Sequence, residues 1–232
     1  FDLSKEVNEP NKVGYVVEID PLNPNSTPKK HTALGRFKHE NAELVISKDG
    51  KIVVYMGDDE RGEYLYKYVS NESINEVKDK STLLSNGNLY VAKFNDNFTG
   101  EWLLLNTQTT GLSSKAEVCI FTRLAVSKVG ATTMDRPEWI ASNPKKNEVC
   151  CCLTNNKNRG IKTNKGGDKV DVDKVNPRKN NKYGQIVRWK PRDNNHSSVY
   201  FEWDLFVVAG NPNVHNDNNR GSKNIDKENM FN

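Results

Sequence analysis

His39-Glu40, Glu43-Leu-Val-Ile-Ser-Lys-Asp-Gly-Lys-Ile-Val-Val-Tyr-Met-Gly57 and Asp58-Asp59-Glu60-Arg61 form the stretch from which the fold can be read. It runs through an apolar segment, a turn signal at Asp49-Gly50, a second apolar segment and a cluster of oxygen-bearing side chains. That order describes a β-hairpin, because Asp-Gly takes the positive φ angles of a tight turn. About a hundred residues later the pattern returns as Asp135-Arg136-Pro137-Glu138, then Trp139-Ile-Ala-Ser-Asn-Pro-Lys-Lys-Asn-Glu-Val-Cys-Cys-Cys-Leu-Thr154, then Asn155-Asn156. In an antiparallel hairpin the start of one strand and the end of the next share one end. Glu40, Asp58, Asp59, Arg136 and Glu138 are therefore expected on a common rim. Carboxylates gathered beside an arginine are what a metal-assisted phosphate site needs.

Further strand signals surround the two hairpins. Val13 to Asp20 alternates and stops at Pro21-Leu-Asn-Pro24, with His31 to Phe37 as its expected partner. Glu63 to Val69, Asn88 to Phe94 and Gly100 to Leu105 continue the first set. Residues 139–142, 148–153, 185–189 and 199–206 repeat it. Lys115 to Lys128 is the one helix expected, with Ser113-Ser114 as its cap. Four strands per unit, repeated with turn-rich joints, point to an all-β chain of β-propeller blades. The count is two whole blades plus the end of an earlier one, roughly half a propeller, with one short inserted helix and long loops. Residues 1–232 are thus expected to be part of a single propeller domain. Residues 156–182 are rich in Asn, Lys and Gly and read as a basic, polar, solvated insertion. Residues 211–232 read as a polar loop or tail.

A formal charge of +4 is too mild to imply nucleic acid, and the basic insertion lacks interleaved aromatic residues to stack bases. No apolar run approaches the ~18 residues of a membrane span. A monomer with neither partner is expected. Phe1 opens without an export signal and the chain stops on a polar stretch, which reads as a piece cut from a longer chain. Cys150, Cys151 and Cys152 are consecutive, so on a strand they alternate between faces and cannot converge on one metal. Packing in a strand is their expected role, and a disulfide to Cys119 cannot be argued from spacing.

The rim segments carry a resemblance. Gly14-Tyr-Val-Val-Glu-Ile-Asp-Pro21, Thr32-Ala-Leu-Gly-Arg-Phe-Lys-His-Glu40, Tyr55-Met-Gly-Asp-Asp-Glu-Arg61 and Met134-Asp-Arg-Pro-Glu-Trp-Ile140 are similar to segments of the PhoX-type secreted alkaline phosphatases. So are Leu153-Thr-Asn-Asn156, Tyr183-Gly-Gln-Ile-Val-Arg-Trp189 and Trp203-Asp-Leu-Phe-Val-Val-Ala-Gly210, in order over nearly the whole chain. The resemblance implies a six-bladed propeller with iron (Fe3+) and calcium (Ca2+) at one end of its channel. It also implies phosphomonoester hydrolysis in the periplasm or outside the cell, after export through a twin-arginine signal. By similarity Glu40, Asp58, Asp59 and Glu138 are metal ligands, and Arg136 holds the phosphate with Glu40 beside it in the catalytic set. The family's iron-binding cysteine belongs to an upstream segment that none of the four cysteines here matches. A further ligand segment would follow Asn232. This chain is therefore expected to be inactive alone.

Each residue also has a plainer reading. Glu40 could be a solvated strand-end acid, Asp58-Asp59 an ordinary turn, and Arg136 with Glu138 a structural ion pair. His39 stands evenly between substrate contact and surface, and Asn155-Asn156 read as turn residues. No serine sits in a nucleophile elbow, which favours metal-assisted displacement at phosphorus. Two alternatives use the same residues: a calcium-stabilised propeller that binds without catalysis, and a calcium-propeller lactonase or phosphotriesterase.

Overall fold

The computed structural model describes residues 2–210, so the expected tail at 211–232 lies outside the described residues. A short ribbon opens the chain, with β1 (Val16–Glu18) pairing antiparallel to β2 (Lys29–His31). The strand expected over His31 to Phe37 is corrected to a 3-10 turn at Thr32–Leu34, ended by Gly35 at φ 84°. A Cβ on Gly35 would sit 3.0 Å from both Leu89 and Thr122, so the chain turns there to lay Leu34 and Phe37 into the core.

The first blade comprises β3 (His39–Ile46), β4 (Lys51–Asp58), β5 (Leu65–Ser73) and β6 (Gly87–Phe94). It is followed by β7 (Thr99–Leu105) and by three short helices, α1 (Thr107–Thr110), α2 (Lys115–Ile120) and α3 (Thr122–Val126). The second blade comprises β8 (Pro137–Ser142), β9 (Val149–Leu153), β10 (Gln185–Pro191) and β11 (Tyr200–Val208). Each blade is an antiparallel meander, as alternating apolar runs joined by turns dictate. β7 pairs along β6 and, through Glu101, Gly100 and Thr99, with the start of β11. A nine-stranded sheet results, running from β3 out to β7 and back from β11 to β8.

That return brings the two blades face to face. Val53, Tyr55 and Leu65 of the first, with Trp102 of β7, pack against Ile140, Cys151, Val187, Trp189 and Phe201 of the second. Tyr55 meets Trp189 edge-on at 5.3 Å. Burying such side chains contributes about 1.5–3 kcal/mol each. The opposite face of the first blade, with Val54, Met56, Tyr66 and Tyr68, is covered by Leu34 and by Val118, Ala125 and Val126 of α2 and α3. Here the helix expected over Lys115–Lys128 is broken at Phe121 (φ −103°, ψ 45°). Just past the break the buried Thr122 hydroxyl accepts the Arg36 N–H at 3.0 Å. The cap itself is as expected, Ser114 accepting the Glu117 N–H at 3.2 Å.

All four cysteines are free. Cys151 faces the core and its neighbours half-face the other side, the alternation a strand requires. Among the described residues no helix is long and apolar enough to cross a membrane.

Candidate metal and phosphate site

The inner strands β3 and β8 each begin with a bulge. On β3 the register shifts between His39 and Ala42, and on β8 between Pro137 and Ile140. One extra residue is accommodated in each, so Glu40 and Glu138 occupy equivalent places in the two hairpins. Bulges re-aim side chains at strand ends. Glu40 is exposed and makes no ion pair among the described residues. Glu138 accepts the Thr154 hydroxyl at 3.0 Å.

Arg136 stands between two carboxylates. Its Nε donates to Asp59 Oδ1 at 3.0 Å, and one terminal nitrogen reaches Asp59 Oδ2 at 3.2 Å and Glu138 Oε1 at 3.1 Å. All three side chains keep about a quarter of their surface, 24% for Arg136, 25% for Asp59 and 28% for Glu138, so the group stays open to a ligand. Arg136 has φ 40°, a left-handed conformation that costs a side-chain-bearing residue roughly 1–3 kcal/mol. The first blade closes on this point through Gly57. A Cβ there would lie 2.7 Å from the Pro137 carbonyl oxygen and 2.9 Å from that of Glu138.

Two expected residues are turned elsewhere. Asp58 is fully buried, accepts Nε and a terminal nitrogen of Arg123 at 2.7 and 2.6 Å, and also takes the Lys38 N–H. Its carboxylate is thus engaged by the α3 arginine and lies apart from the Arg136 group. His39 stacks on Phe37 at 3.7 Å between ring centroids and points a ring nitrogen at the Gly35 carbonyl. Burial pushes its pKa down to about 4, against the small upward pull of that carbonyl. In this arrangement the half-buried ring packs on Phe37 and faces the Gly35 carbonyl.

Sequence reasoning missed the side chains that join the blades at this rim. Asn41 accepts the Ile140 N–H at 3.1 Å and donates to the Ile140 carbonyl at 2.8 Å. Glu43 accepts the Ser142 N–H at 2.8 Å. Both satisfy the open edge of β8 as a neighbouring strand would. Their spacing of two on β3 is a signal the sequence did contain.

Beside the rim, Glu60, Arg61, Lys157, Lys162 and Lys165 line a cleft. Burial would raise the pKa of Glu60, but Lys165 and Lys38, each 2.8 Å away, hold it down to about 2. Lys157 and Lys162 have no acidic partner among the described residues, so the cleft is basic.

Carboxylate oxygens are the donors that hard cations take; Asp59 and Glu138 offer them against one guanidinium, and Glu40 holds the place on β3 equivalent to Glu138 on β8. Among the described residues no three or more His, Cys, Asp or Glu come close enough to hold a metal alone. The donor set therefore fits part of a hard-cation site.

The family profile described as alkaline phosphatase PhoX matches residues 1–232. No curated protein matches the chain. Among solved structures the chain is similar to Pseudomonas fluorescens PhoX in complex with vanadate, a transition state analogue, at 50% identity and a TM-score of 0.88. The match covers 100% of this chain and 42% of that one, so this chain spans less than half the length of its solved neighbour.

Proposed function

Because the chain belongs to the alkaline phosphatase PhoX family, we propose that it carries part of the active site of a metal-dependent enzyme hydrolysing phosphate monoesters. The observation that supports this most is Arg136, held in a left-handed conformation between Asp59 and Glu138 on the rim where both hairpins begin. A guanidinium so placed presents a planar fork that can grip two phosphoryl oxygens, exchanging its carboxylate partners for the substrate. Vanadate is named as a transition state analogue for the P. fluorescens neighbour, and an oxyanion of that shape suits the same fork.

Glu40, Asp59 and Glu138 would hold calcium and iron, together with oxygen or sulfur donors from outside the described residues. Those ions, when bound, would neutralise phosphoryl charge and activate the nucleophile. Within this chain Arg136 binds and orients the phosphate, and Thr154 steadies Glu138 through its hydroxyl. The basic cleft raises the local concentration of anionic substrate. The β1–β2 ribbon is read as the end of a preceding blade and residues 156–182 as an insertion in one propeller domain. A periplasmic or secreted, monomeric protein fits the family, and this chain alone is expected to lack turnover.

The test is hydrolysis of a chromogenic phosphomonoester by the intact protein reconstituted with calcium and iron, wild type against Arg136→Ala, with thermal melts alongside. Loss of about 30-fold or more in kcat/KM, equivalent to about 2 kcal/mol, at an unchanged melting temperature supports the proposal. Wild type inert on monoesters but melting later with calcium would sink it in favour of a binding propeller.

A further inference from the structure

Asp135, the residue before Arg136, is fully buried and is met by four donors. Arg159 Nε reaches its Oδ1 at 2.7 Å and Asn156 Nδ2 the same oxygen at 2.8 Å. Asn181 Nδ2 reaches Oδ2 at 2.9 Å and Gln185 Nε2 at 3.4 Å. The Asp135 N–H donates to Asn176 Oδ1 at 2.9 Å. Arg159 is itself fully buried, and its remaining N–H groups bond Thr133 and the Asp171 carbonyl. Four of these five partners come from residues 156–182, the stretch whose composition reads as solvated, and the fifth is Gln185 at the start of β10.

Such a network is a poor device for stability alone. A buried ion pair recovers little beyond the cost of desolvating it, and an apolar replacement of equal volume is often as stable. What it does provide is fixed geometry, since charge-assisted bonds from several directions leave the carboxylate one orientation. The consequence falls on the next residue. Arg136 is fixed at φ 40° between the anchored Asp135 and Pro137, whose ring fixes its own φ, and its carbonyl accepts the Thr154 N–H at 3.2 Å. Released from that anchor, residue 136 would relax toward negative φ and carry its guanidinium away from Asp59 and Glu138.

We propose that Asp135 is a positioning residue for Arg136, and that Arg159, Asn156 and Asn181 form the buttress that holds it. The inference rests on the reading of Arg136 as the phosphate-binding side chain. It is tested in the intact, metal-loaded protein by the vanadate-induced rise in melting temperature, a binding readout that needs no turnover. Asp135→Asn removes the charge that Arg159 requires. Asn181→Ala removes one donor but keeps the ion pair, and serves where Asp135→Asn does not fold. Each is expected to weaken vanadate binding at least about fivefold with bound calcium and iron unchanged. In an Arg136→Ala background Asn181→Ala should weaken it no further, because the two act through one guanidinium. Variants that melt earlier yet keep wild-type vanadate affinity overturn the inference, as does a loss that adds in full to that of Arg136→Ala. Wild type that binds no vanadate instead removes the phosphatase reading beneath it.

Discussion

Glu63 is 1% exposed beside Arg123, which also carries Asp58. Burial pushes its pKa up to about 8, and Arg123 only partly opposes this. A carboxyl raised in the folded state favours folding fully below its ordinary value of 4.5, and that contribution is lost as pH rises through about 8. Glu63→Gln does not titrate. It is therefore expected to change the melting temperature little at pH 4.5 and to raise stability over wild type by several kcal/mol, on the order of 4, at pH 9. A difference that is constant with pH, in melts across that window, would show that Glu63 stays charged against Arg123. At the same scale Asp58 and Asp59 show how one position decides a role. Val54, Met56 and Asp58 share the face of β4 that the helices cover, while Val53, Tyr55 and Gly57 face the second blade. Parity alone sends Asp58 to Arg123 and Asp59 to Arg136, and the apolar pattern of the strand already held that distinction.

The hairpin is the element that builds the rim, and its bulge is the working part. Without the extra residue near Glu40, His39 would share a face with Asn41 and Glu43. With it, His39 joins Ala42 and Leu44. A bulge has no residue signature strong enough to place it in advance, so the equivalence of Glu40 and Glu138 was legible while their local geometry was not. Asn41→Ala leaves the Ile140 N–H and carbonyl unpaired between the blades and should cost about 1–3 kcal/mol in denaturant unfolding. Gly57→Ala forces the backbone of Pro137 and Glu138 to move, at a cost of about 1–3 kcal/mol. It should also weaken vanadate binding, because the displaced segment carries Arg136. Unchanged stability and vanadate affinity in Gly57→Ala would mean the blades can separate there without disturbing the rim.

The whole molecule is two blades joined by more than their apolar faces. Lys67 of β5 is fully buried and donates to the carbonyls of His196 and Ser198 at 3.3 and 2.6 Å, tying the first blade to the loop before β11. Burial pushes its pKa well below the ordinary lysine value. The basic cleft of Arg61, Lys157, Lys162 and Lys165 gathers residues from both blades on the side where the rim lies. If that field steers substrate, kcat/KM for a phosphomonoester should fall about threefold or more between about 0.02 and 0.5 M salt, with kcat little changed. A flat salt profile would assign the lysines to solubility alone.

Strand positions, the duplicated hairpin and the acidic rim with its arginine were determined by the sequence, because period-two patterning and turn residues act locally and survive without neighbours. The tertiary structure decided what depends on partners far along the chain. It broke the helix at Phe121, where Thr122 meets Arg36, and stacked His39 on Phe37. It also drew the polar 156–182 stretch inward around Asp135. Composition reads asparagine and arginine as solvated, since neither can be buried alone. Only a folded chain supplies the buried carboxylate that makes their burial affordable.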